Sequence, residues 1–185
     1  MLVLLLAANV AVYVIMVLST HHSGWDAWEL LAWGGNLGKL SLHGEAWRLL
    51  TATFLHASFT HILGNMVLLL ITGGILERKL GSAMFFGVYV TCGLAGSALS
   101  AWANPNVVGV GASGAIAGLL GCILILKLTA RAPEVRGAWI GQILVLNGIY
   151  SFAPNVDGLA HLGGFVAGLA LGAVLAVQLP TPDEI

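Results

Sequence analysis

The sequence predicts an all-α membrane protein, a polytopic bundle of about six transmembrane helices, and three observations carry that reading. Hydrophobic residues make up 58% of the 185-residue chain and charged ones only 8%, with a mean hydropathy of +0.95; so few polar groups cannot cover the surface of a water-soluble domain. The apolar residues come in continuous runs near the ~20 residues a helix needs to cross a hydrocarbon core about 30 Å thick. These runs lack the alternation of β-barrel strands, which leaves helices as the way to satisfy the backbone in lipid.

The elements follow in order. The first span, Leu2–Ser19, has no basic leading region and no small-residue cleavage site, so it reads as a retained helix and not a removed signal peptide. In the loop from about His21 to Leu50, Trp25, Trp28 and Trp33 recur near helical spacing, with Asp26 and Glu29 on other faces. That pattern fits a segment at headgroup level, either an interfacial lid or an anchor for the bundle. The second span, Phe59–Leu76, carries His61 and Asn65 four residues apart on one helical face; an interhelical clamp and a pair of convergent donors are both open readings. The third span is Ala83–Ala103. The fourth, Ser113–Leu128, opens on Gly111-Ala112-Ser113-Gly114, the fifth is Ala138–Phe152, and the sixth, Leu159–Leu179, opens on Ala160-His161-Leu162-Gly163-Gly164. Asp157, four residues before His161, has two readings, an acid reaching the His161 ring and the N-cap of the sixth span, of which the cap is favoured. Residues 1–185 read as one domain.

Ionisable and nucleophilic side chains at membrane depth are costly, so Ser113 and His161 are functional candidates by default. Cys92 and Cys122 fall inside spans without paired-thiol spacing and read as small buried hydrophobes. No second histidine follows His161 at helical spacing, no H-E-x-x-H is present and the spans lack carboxylate clusters, so no metal or cofactor is expected, and no nucleic acid partner either. Arg78 and Lys79 after the second span, with Lys127, Arg131 and Arg136 around the fourth-to-fifth connection, outnumber Lys39 and Arg48 on the other side. Positive loops stay in the cytoplasm, so both termini are expected there. The starts of the second, fourth and sixth spans then share the external side, and they bring His56, His61, Ser113 and His161 to one depth. Gly164, Gly168 and Gly172 on the sixth span, with Gly114, Gly118 and Gly121 on the fourth, thin the facing surfaces and allow close approach.

These residues resemble the rhomboid intramembrane serine proteases. The resemblance runs through Gly35-Asn36, Gly44-Glu45-Ala46-Trp47-Arg48, Phe54-Leu55-His56, His61-Ile62-Leu63-Gly64-Asn65, Leu76-Glu77 with Gly81, Gly111-Ala112-Ser113-Gly114, and Ala160-His161-Leu162-Gly163-Gly164 with Gly168. It covers nearly the whole chain, and order, spacing and topological placement carry it jointly.

The resemblance implies a catalytic dyad, with Ser113 as nucleophile and His161 as general base. It also implies an oxyanion hole made by the Ser113 amide with the His61 and Asn65 side chains. Gly111 matches the residue that lets substrate backbone approach the serine; His56, the Trp47-Arg48 pair, Gly164 and Gly168 match structural positions. Partners implied are transmembrane protein substrates within the lipid bilayer, and the compact form looks bacterial, with the site opening outward from an inner membrane. Oligomeric state is not legible. One departure stands out: many rhomboids place Tyr or Phe four residues after the serine, against the imidazole, whereas this chain has Ala117. Phe165 and Tyr150 are the candidates to replace that ring. The other function classes are a catalytically inactive, client-binding relative and a small-solute transporter, the latter disfavoured because the halves show no inverted repeat.

Overall fold

Long apolar helices set the architecture, and short elements at one end connect them. The computed structural model describes residues 1–154 and 156–179; the expected domain 1–185 also takes in residues 155 and 180–185, which lie outside the described residues. In chain order the elements are α1 (Leu2–Thr20), α2 (Ala27–Ala32), β1 (Asn36–Leu37), α3 (Gly38–Ser41), α4 (Arg48–Thr51), a 3₁₀ turn (Ala52–Phe54), α5 (Phe59–Leu80), α6 (Ser82–Ala103), β2 (Val108–Gly109), α7 (Ser113–Leu128), α8 (Gly137–Tyr150) and α9 (Gly158–Gln178).

Among the described residues α1, α5, α6 and α9 are long and apolar enough to cross a membrane. Helix α7, with 16 residues, and α8, with 14, rise only about 24 Å and about 21 Å, short of a hydrocarbon core of about 30 Å. All six expected spans are thus helical. Their bounds shift for local reasons: α5 runs on to Leu80, where Gly81 at φ 77° turns the chain directly into α6, and α8 stops at Tyr150 with Ser151 as its C-cap.

Helix α7 is apolar on every side because it is buried on every side. All residues from Gly114 to Ile123 are buried, in a core shared with Leu69 and Leu76 of α5, Phe85, Tyr89 and Cys92 of α6 and Leu175 of α9. Apolar side chains also cover the outside of the bundle, including Leu4 and Leu18 of α1, Leu70 of α5, Leu146 and Ile149 of α8 and Val177 of α9. Such a surface suits acyl chains and not water. Cys92 and Cys122 are buried and unbonded, in keeping with their reading as small hydrophobes.

Beyond the start of α5 the connecting elements lock together. The two-residue strands pair antiparallel, Asn36 with Gly109 and Leu37 with Val108. The Asn36 amide donates to the Ser97 carbonyl at 2.8 Å and accepts from Ser41 Oγ at 2.7 Å, pinning the loop to α6. Helix α2 is held by a capping box between Asp26 and Glu29. Trp25 is buried edge-on to Tyr13, with centroids 5.3 Å apart, and donates to Thr20 Oγ1 at 3.0 Å; Trp28 is exposed. Trp25 therefore anchors the segment to α1, and Trp28 faces outward. The buried Arg48 guanidinium lies 4.5 Å over the Trp47 ring and donates to Glu45 at 2.5 Å and to the carbonyls of Leu31 at 2.7 Å and Gly35 at 3.2 Å. Three parts of the loop are tied through that one cation.

The tightest packing is between α7 and α9. A methyl group at Gly164 would collide with the Gly114 carbonyl, one at Gly168 with the Gly118 carbonyl, and one at Gly172 would meet the Cys122 carbonyl. Each obstacle is backbone, with no rotamer to yield. Gly168→Ala should therefore destabilise the bundle by ~1–3 kcal/mol, as overpacking does, read as a fall in melting temperature in detergent. Gly64→Ala on α5, where an added Cβ meets nothing within 4 Å, should be neutral or slightly stabilising.

Candidate active site

Three helix starts build the site. Helix α5 begins where Ser58, its N-cap, accepts the His61 amide at 3.3 Å, which sets His61 on the first turn. The His61 ring sits edge-on to His56, with centroids 5.0 Å apart. The Ala57 amide approaches His61 Nδ1 at 3.4 Å; an N–H can only donate, so Nδ1 accepts and Nε2 carries the ring proton. That Nε2–H faces the Gly111 turn. A Cβ on Gly111 would stand 2.8 Å from His61 Nε2 and 3.6 Å from Ser113 Oγ, so imidazole and hydroxyl flank the same small volume. Gly111 has φ 121°, and a side chain there would fail on backbone conformation as well as on space. The room it leaves is taken by the His61 ring.

One turn further along α5, Asn65 is buried, and its Nδ2 donates to the His61 carbonyl at 3.0 Å. An amide nitrogen has two protons, so this bond leaves one to offer. His56 is fully buried; burial, with the neighbouring His61, pushes its pKa down to about 3, and it stays neutral in the physiological range.

Ser113 is the first residue of α7, half-buried, with Ala112 before it as the N-cap. Its amide is among the first-turn N–H groups that have no intrahelical acceptor, at the positive end of the helix dipole. His161 is buried in the first turn of α9. An added Cβ at Gly114 would lie 3.1 Å from the Ala160 carbonyl, so the residue after the serine packs against the residue before the histidine. Among the described residues no direct hydrogen bond joins Ser113 to His161; in the absence of substrate such bonds are often long and tighten only when the complex forms. A narrow cavity of about 10 Å³, roughly what the centre of one water needs, is lined by Ser113, Thr53, Ser97 and Asp157. A larger cavity of about 610 Å³ lies at the far end of the bundle, by Arg78, Lys79, Arg136 and Trp139, away from this chemistry.

Residues 43–178 match the family model described as the Rhomboid domain. The chain belongs to the rhomboid family. It is 39% identical over 146 residues to RHOMBOID-like protein 5 of Arabidopsis thaliana, which covers 76% of this chain and 47% of that protein. It is 36% identical over 151 residues to Rhomboid protease GluP of Bacillus subtilis (strain 168), covering 80% of this chain and 30% of the relative, and 37% identical over 155 residues to Putative rhomboid protease YdcA of the same organism, covering 82% and 76%. The chain spans about half the length, or less, of most of these curated relatives.

In this rhomboid the aromatic ring beside His161 comes from another helix. Tyr150, at the end of α8, stacks on the imidazole with centroids 6.4 Å apart and planes 22° from parallel, while Phe165 lies over Gly121 on the flank of α7. Of the two candidates to replace the ring missing at Ala117, Tyr150 is the one in contact. Two polar contacts escaped sequence reasoning: Ser151 Oγ lies 2.7 Å from His161 Nδ1, and Ser100 Oγ donates to Asp157 at 2.5 Å. Neither follows from a spacing, because Ser151 reaches the histidine across a turn and Ser100 comes from α6.

Asp157 is the N-cap of α9. Its Oδ1 accepts the Ala160 amide at 3.0 Å and its Oδ2 accepts from Ser100, so both oxygens are engaged away from the His161 ring. Asp157→Ala should lower stability by ~1 kcal/mol, as loss of a cap does. Asp157→Asn, which keeps an acceptor oxygen, should retain most of it in the same thermal unfolding assay.

Proposed function

We propose that residues 1–185 form one membrane protease domain, an intramembrane serine endopeptidase that cleaves peptide bonds in or near the transmembrane segments of membrane-protein substrates. One observation carries the reading: Ser113, at the free N-terminus of α7, shares a small volume with a ring N–H of His61, and its neighbour Gly114 packs against the residue preceding His161. The relatives named as proteases support it at family level.

A serine hydroxyl is a weak nucleophile without a base. As Ser113 Oγ attacks the scissile carbonyl carbon, His161 takes its proton, and the carbonyl oxygen acquires the negative charge. The donors we assign to that charge are the Ser113 amide, His61 Nε2–H and the remaining Asn65 Nδ2–H. In a site of low dielectric they count for more than in water, and being fixed they need no reorganisation. Collapse of the intermediate breaks the C–N bond, with His161 returning the proton to the leaving amine. Water then attacks the acyl ester with the same base, releasing the acid and restoring Ser113.

The chemistry needs neither metal nor cofactor. The excess of Arg and Lys at the α5–α6 and α7–α8 turns assigns that end to the cytoplasm, so the Ser113 end opens on the external side. Polar helix starts at that end let water reach a bond otherwise held in lipid.

Ser113→Ala and His161→Ala should each abolish cleavage of a model transmembrane substrate by purified protein while the bundle stays folded. The double variant should be no worse, since groups acting as a unit are not additive. A fluorophosphonate should label Ser113, with labelling absent in Ser113→Ala and sharply reduced in His161→Ala. Folded wild-type protein that neither cleaves nor labels is instead a client-binding relative, and substantial cleavage by either single variant sinks the dyad.

His61→Ala and Asn65→Ala should lower kcat more than they change KM, by up to ~10²–10³ for loss of one oxyanion donor. If both variants keep full turnover and only melt earlier, the pair is an interhelical clamp.

A further inference from the structure

The protease reading leaves open what aims the base. A histidine that accepts a proton from Ser113 must present a bare nitrogen, and a neutral imidazole has one bare nitrogen and one N–H. In the serine protease triad a carboxylate accepts the Nδ1 proton and selects the tautomer. Here the nearest carboxylate, Asp157, is engaged by the Ala160 amide and Ser100. The group that does face Nδ1 is a neutral hydroxyl, Ser151 Oγ, at 2.7 Å.

We propose that Ser151 is a positioning residue that holds His161 as the Nδ1–H tautomer and so leaves Nε2 as the base for Ser113. This rests on the protease reading for its function, but its geometry stands by itself. The hydroxyl has a single proton, and the Asn147 carbonyl, one helical turn back, accepts it at 2.8 Å. A carbonyl cannot donate, so that bond fixes the direction of the chain. With its proton committed, Ser151 Oγ meets Nδ1 with a lone pair, and the ring proton must lie on Nδ1. The reverse arrangement, with Ser151 donating to Nδ1, makes one hydrogen bond where the first makes two, and it turns Nε2 into a donor that cannot take the Ser113 proton.

The hydroxyl is held in place by more than its own bonds. The Ser151 amide caps α8 by donating to the Asn147 carbonyl at 2.9 Å. A Cβ on Gly158, the first residue of α9, would stand 2.5 Å from the Ser151 carbonyl, so the end of α8 docks directly on the helix that carries His161. Tyr150, the preceding residue, stacks on the same ring. When His161 takes up the Ser113 proton on Nε2, the Nδ1–H bond to Ser151 persists, so the ring keeps its aim through the transfer.

The test uses the full chain in detergent with three variants. Ser151→Ala should lower kcat by on the order of 10- to 100-fold with KM nearly unchanged, less than the ~10²–10⁴ that a general base contributes as a whole. Ser151→Thr, whose hydroxyl can also bond the carbonyl one turn back, should recover most of the rate. Ring-¹⁵N histidine spectra, with the His161 signals identified by their loss in His161→Ala, should show protonated Nδ1 and bare Nε2 in the wild type. Ser151→Ala should shift them toward the Nε2–H form, and Ser151→Thr should restore them. Unchanged tautomer in folded Ser151→Ala overturns the proposal, as does a lower melting temperature with kcat intact. A wild type that neither cleaves nor labels at Ser113 would overturn the protease reading while the spectra still decide the tautomer.

Discussion

Backbone contact between α7 and α9 is the constraint from which the rest of the bundle follows. In lipid no hydrophobic force draws helices together, so association depends on van der Waals contact and on the backbones coming close. The contacts step along both helices in fours: Gly164 against Gly114, Gly168 against Gly118, Gly172 against Cys122. Such a stripe admits one register, with the helices parallel, and it places the first turn of α9 level with the Gly111–Ser113 turn. The relative placement of Ser113 and His161 is therefore set by contacts that carry no chemistry. The same closeness explains why α7 can be so short, since it is wrapped by protein and does not meet the bilayer along most of its length.

The second constraint is that polar groups must be satisfied where lipid cannot satisfy them. The starts of α5 and α9 meet it with side-chain caps on otherwise free amides, while Asn9 Oδ1, both ring nitrogens of His56 and the Tyr89 hydroxyl are buried with no partner among the described residues. Ser58 takes the His61 amide and Asp157 takes the Ala160 amide, whereas among the described residues no side chain caps the start of α7. His61 and His161 then each have one ring nitrogen engaged: Nδ1 of His61 by the Ala57 amide and Nδ1 of His161 by Ser151. The two partners are of opposite kind, an N–H in one case and a hydroxyl lone pair in the other. On the proposed reading the same ring is thereby a donor at His61 Nε2 and an acceptor at His161 Nε2, the two roles that acyl transfer asks of it.

Most of the fold was legible because lipid simplifies the pattern: a run of apolar residues is a helix, and Gly at every fourth position is a contact. The six helices, their order and the small-residue faces of α7 and α9 could all be read this way, as could Asp157 as a cap and Ser113, His161, His61 and Asn65 as the groups to examine. What was not legible lies where side chains meet across elements. Three tryptophans at helical spacing suggested one face, but Trp25 turns inward onto Tyr13 while Trp28 turns out; the capping box sets α2 too short for spacing to decide. Sequence also does not show that the His61 ring lies beside Gly111, within 2.8 Å of where a Cβ would stand. Ser151 carried no signal, because a serine at the end of an apolar helix is ordinarily satisfied by the carbonyl one turn back, as this one also is.

Helix α8 brings these threads together. Ile140 alone among its residues is buried, and Val145, Leu146 and Ile149 are exposed, so it has the least packing of the long helices around α7. Its last turn nevertheless supplies the ring stacked on His161 and the hydroxyl bonded to Nδ1. With Ala117 on α7 there is no aromatic ring beside the imidazole from that helix, and the one stacked on it comes from the end of α8. On the proposed reading the orientation of the base is thereby tied to the docking of α8, whereas Ser113 stands on α7, buried along most of its length, and His61 and Asn65 stand on the first turns of α5. On the proposed reading, nucleophile and base stand on the closely packed α7–α9 pair, and the tautomer of the base is tied to the contact between the end of α8 and Gly158.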